Sequence, residues 1–173
     1  MKIKYAILIL IIGIVGYELF FYFKPFKPLD ISLSIDKIVV TKHKRKLDLI
    51  SNNQIVKSYR ISLGRVPKGR KEFEGDKKTP EGMYFIYDKN PNSGYHKNLG
   101  ISYPNQKDKE YASLIGKNPG GQIKIHGLKN GLGWINRFHL LFDWTNGCIA
   151  LTNKEIDELY LNVKIGTPIE INP

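Results

Sequence analysis

Apolar and polar positions divide the 173-residue chain into two parts that follow different rules. Ile3 to Phe23 is almost continuously apolar, broken chiefly by Lys4 and Glu18. From Lys37 on, the apolar residues come in short runs, β-branched or alternating, with turn residues between them. Lys37-Ile38-Val39-Val40-Thr41 and Leu47-Asp48-Leu49-Ile50 read as strands. Asn52-Asn53 turns the chain into Gln54 to Leu63, where Ile55, Lys57, Tyr59, Ile61 and Leu63 alternate with their neighbours, the period of a pleated strand. Gly64 to Arg70 is a loop by its glycine and proline content. Thr79-Pro80-Glu81-Gly82 then turns into a strand from Met83 to Tyr87, and Asp88 to Gly94 turns again.

Tyr95 to Gly121 carries no clean period, and Ala112-Ser113-Leu114-Ile115 reads as a turn or two of helix. Thr152 and Glu155 have the capping-box spacing, in which a threonine hydroxyl and a glutamate three residues on satisfy each other's backbone N–H. Ile156, Leu159 and Tyr160 supply an apolar face, which predicts a helix there. Thr167 to Ile171 closes the chain as a strand able to complete a sheet. The body is therefore expected to be a mainly-β domain with one or two short helices, arranged as a sandwich or barrel-like sheet.

The N-terminal run changes the compartment. A bilayer core takes about 20 mostly apolar residues as a helix, so Ile3 to Phe23 is long enough to span. A cleaved signal peptide would end in a small-x-small site. The bulky Tyr17-Glu18-Leu19-Phe20-Phe21-Tyr22-Phe23 stands there instead and suits an interfacial belt. The expectation is an uncleaved signal anchor over residues 1–23, a proline-stiffened linker over 24–36, and one domain over 37–173. That places a single-pass protein in the cytoplasmic membrane with its body outside the cytoplasm. The formal net charge of +11 suits nucleic acid, an anionic membrane surface or an anionic wall polymer, against a plain lysine-rich solvated surface. No paired Cys/His finger and no aromatic RNP-like strand accompanies it, so no nucleic-acid partner is expected. Within the basic cluster Lys42 to Lys46, His43 reads as solvated.

The chain has one cysteine, Cys148, set after Gly147 and before an apolar run. His126 ends the short strand Ile123-Lys124-Ile125 and precedes Gly127. A lone thiol with a histidine at a strand end is the pattern of a cysteine nucleophile and its base. His139 competes for the base role, being nearer to Cys148 in sequence, and otherwise reads as a groove or packing residue. A metal set of His126, His139, Asp143 and Cys148 lacks the tight ligand pairs of zinc sites.

His126-Gly127 followed by Thr145-Asn146-Gly147-Cys148-Ile149 resembles the His-Gly and Ser/Thr-x-Gly-Cys-Ile/Val signature of the L,D-transpeptidase catalytic domain, YkuD type. Val56-Lys57 through Ser62-Leu63-Gly64, then Lys71, Glu74-Gly75-Asp76 and Thr79-Pro80-Glu81-Gly82, resemble its N-terminal half, so the likeness runs from Lys37 to Asn172. The resemblance implies a β-rich fold without a cofactor that acts on peptidoglycan stem peptides. It implies Cys148 as nucleophile, His126 as base and the Gly127 carbonyl as orienting partner. Amides near Gly147 and Cys148 would serve the oxyanion, with Thr145 and Asn146 in the supporting loop. Asn146 stands where many members carry histidine and Ala150 where many carry arginine, so Arg137 is the candidate to fill the arginine's place. Trp134, Tyr95 and His96 are further candidates for lining the groove. Transfer to an amine, hydrolysis of wall-linked peptides and non-catalytic wall binding all stay open. The connection from Leu128 to Trp144 is where substrate choice is expected to reside.

Overall fold

The alternating runs become neighbours in one continuous sheet. The computed structural model describes residues 2–23, 25–29 and 33–173; Lys24 and residues 30–32 of the expected linker lie outside the described residues. The body has strands β1 (Lys37–Thr41), β2 (Lys46–Ser51), β3 (Gln54–Arg60), β4 (Gly82–Ser93), β5 (His96–Ile101), β6 (Lys124–His126), β7 (Ile149–Ala150) and β8 (Pro168–Asn172). Their order across the sheet is β3-β2-β1-β8-β4-β5-β6-β7, with parallel pairing only at β1–β8 and β6–β7.

The two ends of this order meet. Beyond β3, Ser62 bridges Ala150 and Gly64 bridges Thr145. The Ser62 and Ala150 amides exchange hydrogen bonds at 3.0 and 2.8 Å, and Arg65 N–H donates to the Thr145 carbonyl at 3.0 Å. The sheet thus curls until its last strand touches the extension of its third, a barrel-like closure around one core. Of the two expected arrangements, sandwich or barrel-like sheet, the barrel-like one forms. Inward-facing Ile38, Val40, Leu47, Leu49, Ile61, Leu63, Ile125, Ile149 and Ile169 are fully buried, each contributing about 1.5–3 kcal/mol by leaving water.

Local signals are followed closely in the first hairpin. Asn52 and Asn53 both adopt positive φ, 49° and 62°, the backbone of a tight hairpin turn. Helix α3 (Asn153–Asn162, with α1 and α2 given below) begins with the reciprocal Thr152–Glu155 capping box and buries Ile156 and Leu159. Two differences have a backbone origin. β4 does not stop at Tyr87 but runs on through Asp88 to Ser93, paired with β5 across two register shifts. The polar, turn-rich composition of that stretch reflects an irregular ladder and an open face, not a turn. Gln106–Leu114 forms a helix, α2, capped by a reciprocal Asn105–Asp108 box.

At the N-terminus the backbone of α1 runs from Lys2 to Phe23, 22 residues. Its described side chains, Ile9 and Phe20 among them, are exposed. Among the described residues no helix is long and apolar enough to cross a membrane; the side chains of residues 2, 3, 18 and 21–23 are outside that count. The following segment is held on the body. Leu29 is buried, its N–H donates to Glu158, and Lys57 donates to the Lys27 carbonyl while pairing with Glu158 at 3.2 Å.

Candidate active site

β6 and β7 lie side by side with His126 opposite Ala150, so Cys148, two residues before Ala150, falls on the strand entry next to the histidine's strand. Both side chains line one cavity of about 530 Å³, together with Tyr95, Trp144, Arg65 and Asn98. Thr145 and Asn146 also border it. Cys148 is half-buried, and a second cavity of about 440 Å³ opens on it from the side of Lys71, Glu74, Lys77 and Gln122. The thiol is therefore shared by two clefts.

The loop that carries Cys148 is fixed by its own polar atoms. The buried Thr145 hydroxyl donates to the Cys148 carbonyl at 2.7 Å and accepts from Gly147 N–H at 3.1 Å. The Gly147 amide, expected among the oxyanion donors, is thus already engaged. Gly147 has φ +128°, and a Cβ there would stand 2.7 Å from the Lys78 carbonyl, so only glycine fits. Gly64 is pinched harder, its Cβ position lying 2.1 Å from the Lys77 carbonyl.

Those carbonyls belong to the loop from residue 65 to 79, which is held by buried charge. Lys71 and Asp76 pair at 2.8 Å with both side chains almost fully buried. Asp76 also accepts from the N–H groups of Glu72, Phe73 and Lys78. Burial alone would raise the Asp76 pKa, but these donors more than offset it and hold the carboxyl below its ordinary value. Lys42, from the basic cluster, is buried rather than solvated. Its ammonium reaches the Gly69 and Thr79 carbonyls and Glu81 at 2.7, 2.9 and 2.7 Å. Arg45 pairs with Asp143 at 2.7 Å, and Asp143 accepts from Leu63 N–H. Part of the basic excess is thereby structural bracing.

His126 is buried and bonds through Nδ1 to the Gly127 carbonyl at 2.7 Å, which leaves Nε2 as its basic nitrogen. Its ring lies 4.8 Å from that of Tyr95 and 5.7 Å from that of Trp144. Burial lowers the His126 pKa, the Gly127 carbonyl works against that, and Lys124 adds to the lowering. Burial raises the Cys148 pKa, with a backbone hydrogen bond at Lys124 and the Lys124 and Lys71 charges working against it. Both groups are accordingly neutral at rest, and the thiol donates to the Gln122 carbonyl at 3.7 Å.

The other expected site residues go elsewhere, except Tyr95. The 3-10 segment Gly133–Leu141 is kinked at Asn136 (φ 48°, ψ −130°). Arg137 lines a different cleft, with Phe26, Lys27, β3 and Glu155. Trp134 is 75% exposed and lines neither Cys148 cavity. His96 binds Asp157 at 2.8 Å and packs behind Gly127. His139 is buried, accepts from Trp144 Nε1 at 3.2 Å, and has its pKa lowered to about 4, mainly by burial. It does not line the cavity that holds His126 and Cys148. Asp143 is held by Arg45, and among the described residues no three of His, Cys, Asp and Glu group to hold a metal ion. Sequence reasoning missed two cations of the cleft, Lys124 and Arg65, the latter donating from Nε to the Trp144 carbonyl. The place of Arg65 follows from the barrel closure at Gly64–Thr145, which no local pattern announces.

Comparison with known proteins gives a consistent picture. Residues 35–171 match the family model of the L,D-transpeptidase catalytic domain, YkuD. The protein named "Putative L,D-transpeptidase YafK" from Escherichia coli K12 is 30% identical over 129 residues, 71% of this chain and 45% of that protein. The chain therefore spans less than half the length of that curated relative. The helical cell shape determining protein Pgp2 from Campylobacter jejuni superposes with a TM-score of 0.61 at 27% identity, over 79% of this chain and 47% of that one. Bd1075 from Bdellovibrio bacteriovorus gives a TM-score of 0.57 at 27% identity, over 82% and 49%.

Proposed function

The chain belongs to the L,D-transpeptidase catalytic-domain family, and on that premise we propose that it is a cysteine acyltransferase acting on peptidoglycan stem peptides. The observation that carries this reading is the sharing of Cys148 between two clefts, only one of which contains His126. A group transfer needs an acyl donor and an amine on either side of one sulfur. In the first half-reaction His126 Nε2 takes the thiol proton and Sγ attacks the carbonyl between the L-centre diamino acid and D-Ala. The C–N bond breaks, D-Ala leaves as an amine with the proton from His126, and a thioester stays on Cys148. An amine then attacks, gives its proton to His126, and the C–S bond breaks as the thiol recovers that proton. Since Gly147 N–H serves Thr145, the oxyanion falls to Cys148 N–H and its neighbours. Because the resting pair is neutral, the thiolate forms only as substrate displaces water from the cleft.

The near-continuous apolar run from Ile3 to Phe23 in the sequence is what supports a membrane anchor, with the catalytic domain read on the extracytoplasmic side. The likeness to a cell shape determining protein supports a role in wall architecture. The test is incubation of the full chain with a tetrapeptide muropeptide. A mass adduct on Cys148 with release of D-Ala is expected, lost in Cys148→Ala and His126→Ala; no adduct and no turnover in the wild type would sink the reading. Products with and without an added amine separate transfer from hydrolysis.

A further inference from the structure

His139 takes no part in the chemistry above, yet it is kept at some cost. It is buried, and Trp144 Nε1, a donor only, donates to its Nδ1 at 3.2 Å. The ring proton of His139 therefore sits on Nε2, which is buried and has no hydrogen-bond partner among the described residues. An unanswered buried N–H is rare, because its lost hydration is not replaced. An apolar side chain would fill the same space without that cost, so packing does not account for a histidine here. What the imidazole supplies and an apolar group cannot is the acceptor at Nδ1. Burial, with His126 as the lesser cause, keeps His139 neutral and that lone pair available.

The bond matters because of where Trp144 stands. Its indole borders the cleft of His126 and Cys148 and also an apolar groove of about 340 Å³ lined by Leu132, Ile135, Phe138 and Phe142. A ring with open space beside it is free to swing unless its edge is held. The Trp144 backbone is fixed by Arg65 on its carbonyl at 3.0 Å and by the next N–H, that of Thr145, on the Leu63 carbonyl at 3.1 Å. The side chain is held by His139, whose own carbonyl accepts from the buried Ser62 hydroxyl at 2.9 Å. At the far end His126 is tied at Nδ1 to the Gly127 carbonyl, about which the ring can still tilt. The rings of Tyr95 and Trp144, 4.8 and 5.7 Å away, flank it. We propose that His139 is a positioning residue: through Trp144 it holds the His126 imidazole at the angle at which Nε2 can take the thiol proton. This rests on the acyl-transfer reading. Without the bond the indole turns toward the groove and the imidazole loses one of its flanking rings, which slows proton transfer more than it weakens donor binding.

The test uses the full chain with a tetrapeptide muropeptide donor and follows acylation of Cys148 by mass spectrometry. His139→Leu should lower the rate at saturating donor about tenfold, with the half-saturating concentration changed far less. His139→Asn, whose amide oxygen stands where Nδ1 does, should restore most of that rate. Trp144→Phe keeps a ring but loses the donor and should match His139→Leu, and the double variant should add nothing further, since the two residues act as one unit. Should His139→Leu fail to fold, Trp144→Phe carries the same comparison. With no donor present, NMR should show the His126 ring protons, shifted in the wild type by the flanking aromatic rings, moving in His139→Leu and returning in His139→Asn. A rise in half-saturating concentration alone, a His139→Asn variant as slow as His139→Leu, or His126 signals indifferent to His139→Leu would overturn the proposal. A donor that never acylates wild-type Cys148 defeats the acyl-transfer reading, while the His126 signals still decide whether His139 orients that ring.

Discussion

The loop from Gly64 to Thr79 borders the clefts around Cys148, the connection from Leu128 to Asp143 borders the apolar groove next to them, and the two are held differently. The first is fixed by a buried Lys71–Asp76 pair, by Lys42 bonding the Gly69 and Thr79 carbonyls, and by glycine contacts too close for any side chain. The second is tied near its ends, Asn130 to Gly94 and Asp143 to Arg45, and between them leaves Leu132, Phe138, Leu141 and Phe142 open. A polar network with every member partnered admits one arrangement. Apolar surface is permissive about its neighbours. The side that sets the thiol is thus over-determined, and the open apolar surface is free to vary.

Breaking the braced side should give the largest effect. Asp76→Ala leaves the Lys71 ammonium buried without its partner and should cost about 3–5 kcal/mol in chemical denaturation; a loss under 1 would mean the pair is not the brace. Acid should come next, through His139 on the other side. Its folded pKa of about 4 lies below the ordinary 6.5. The neutral form is the folded one, so its contribution is complete above pH 6.5 and is lost as pH falls, levelling near pH 4, by up to ~3 kcal/mol. Denaturation at pH 7 and pH 4 should show that loss shrink in His139→Phe. Gly147→Ala, strained in φ and against the Lys78 carbonyl, should cost about 1–3 kcal/mol and lower the alkylation rate of Cys148 measured by mass spectrometry. The smallest effect belongs to the open side: Leu141→Ser should shift stability by no more than about 0.5 kcal/mol, and a larger loss would erase the contrast. Independently of these variants, the wild-type thiol should react faster with iodoacetamide as pH rises, with a midpoint above the ordinary 9.0.

What could be read in the sequence follows the same division. Short-range rules find β1 to β3, the Asn52-Asn53 turn and the Thr152 cap, because each is decided within a few residues. The motif residues Cys148 and His126 are also legible, and they fall on one cavity. Arg137 misleads because nearness in sequence is cancelled by the Asn136 kink, which sends it to another cleft. Arg65 and Asn98 are invisible as cleft residues, since only the curl of the sheet brings them there. The strand from Asp88 to Ser93 escapes too, because pairing with β5 supplies what its own residues do not favour.

The bridges Ser62–Ala150 and Gly64–Thr145 also bear on when the site exists. During synthesis the chain emerges with β1 to β3 long before residues 145–150, and contacts so distant in sequence are late and slow to form. The cysteine therefore meets its histidine's strand and its brace within the same closing event. Until nearly all the chain has been made, the thiol stands without the strand and the brace that surround it in the finished fold.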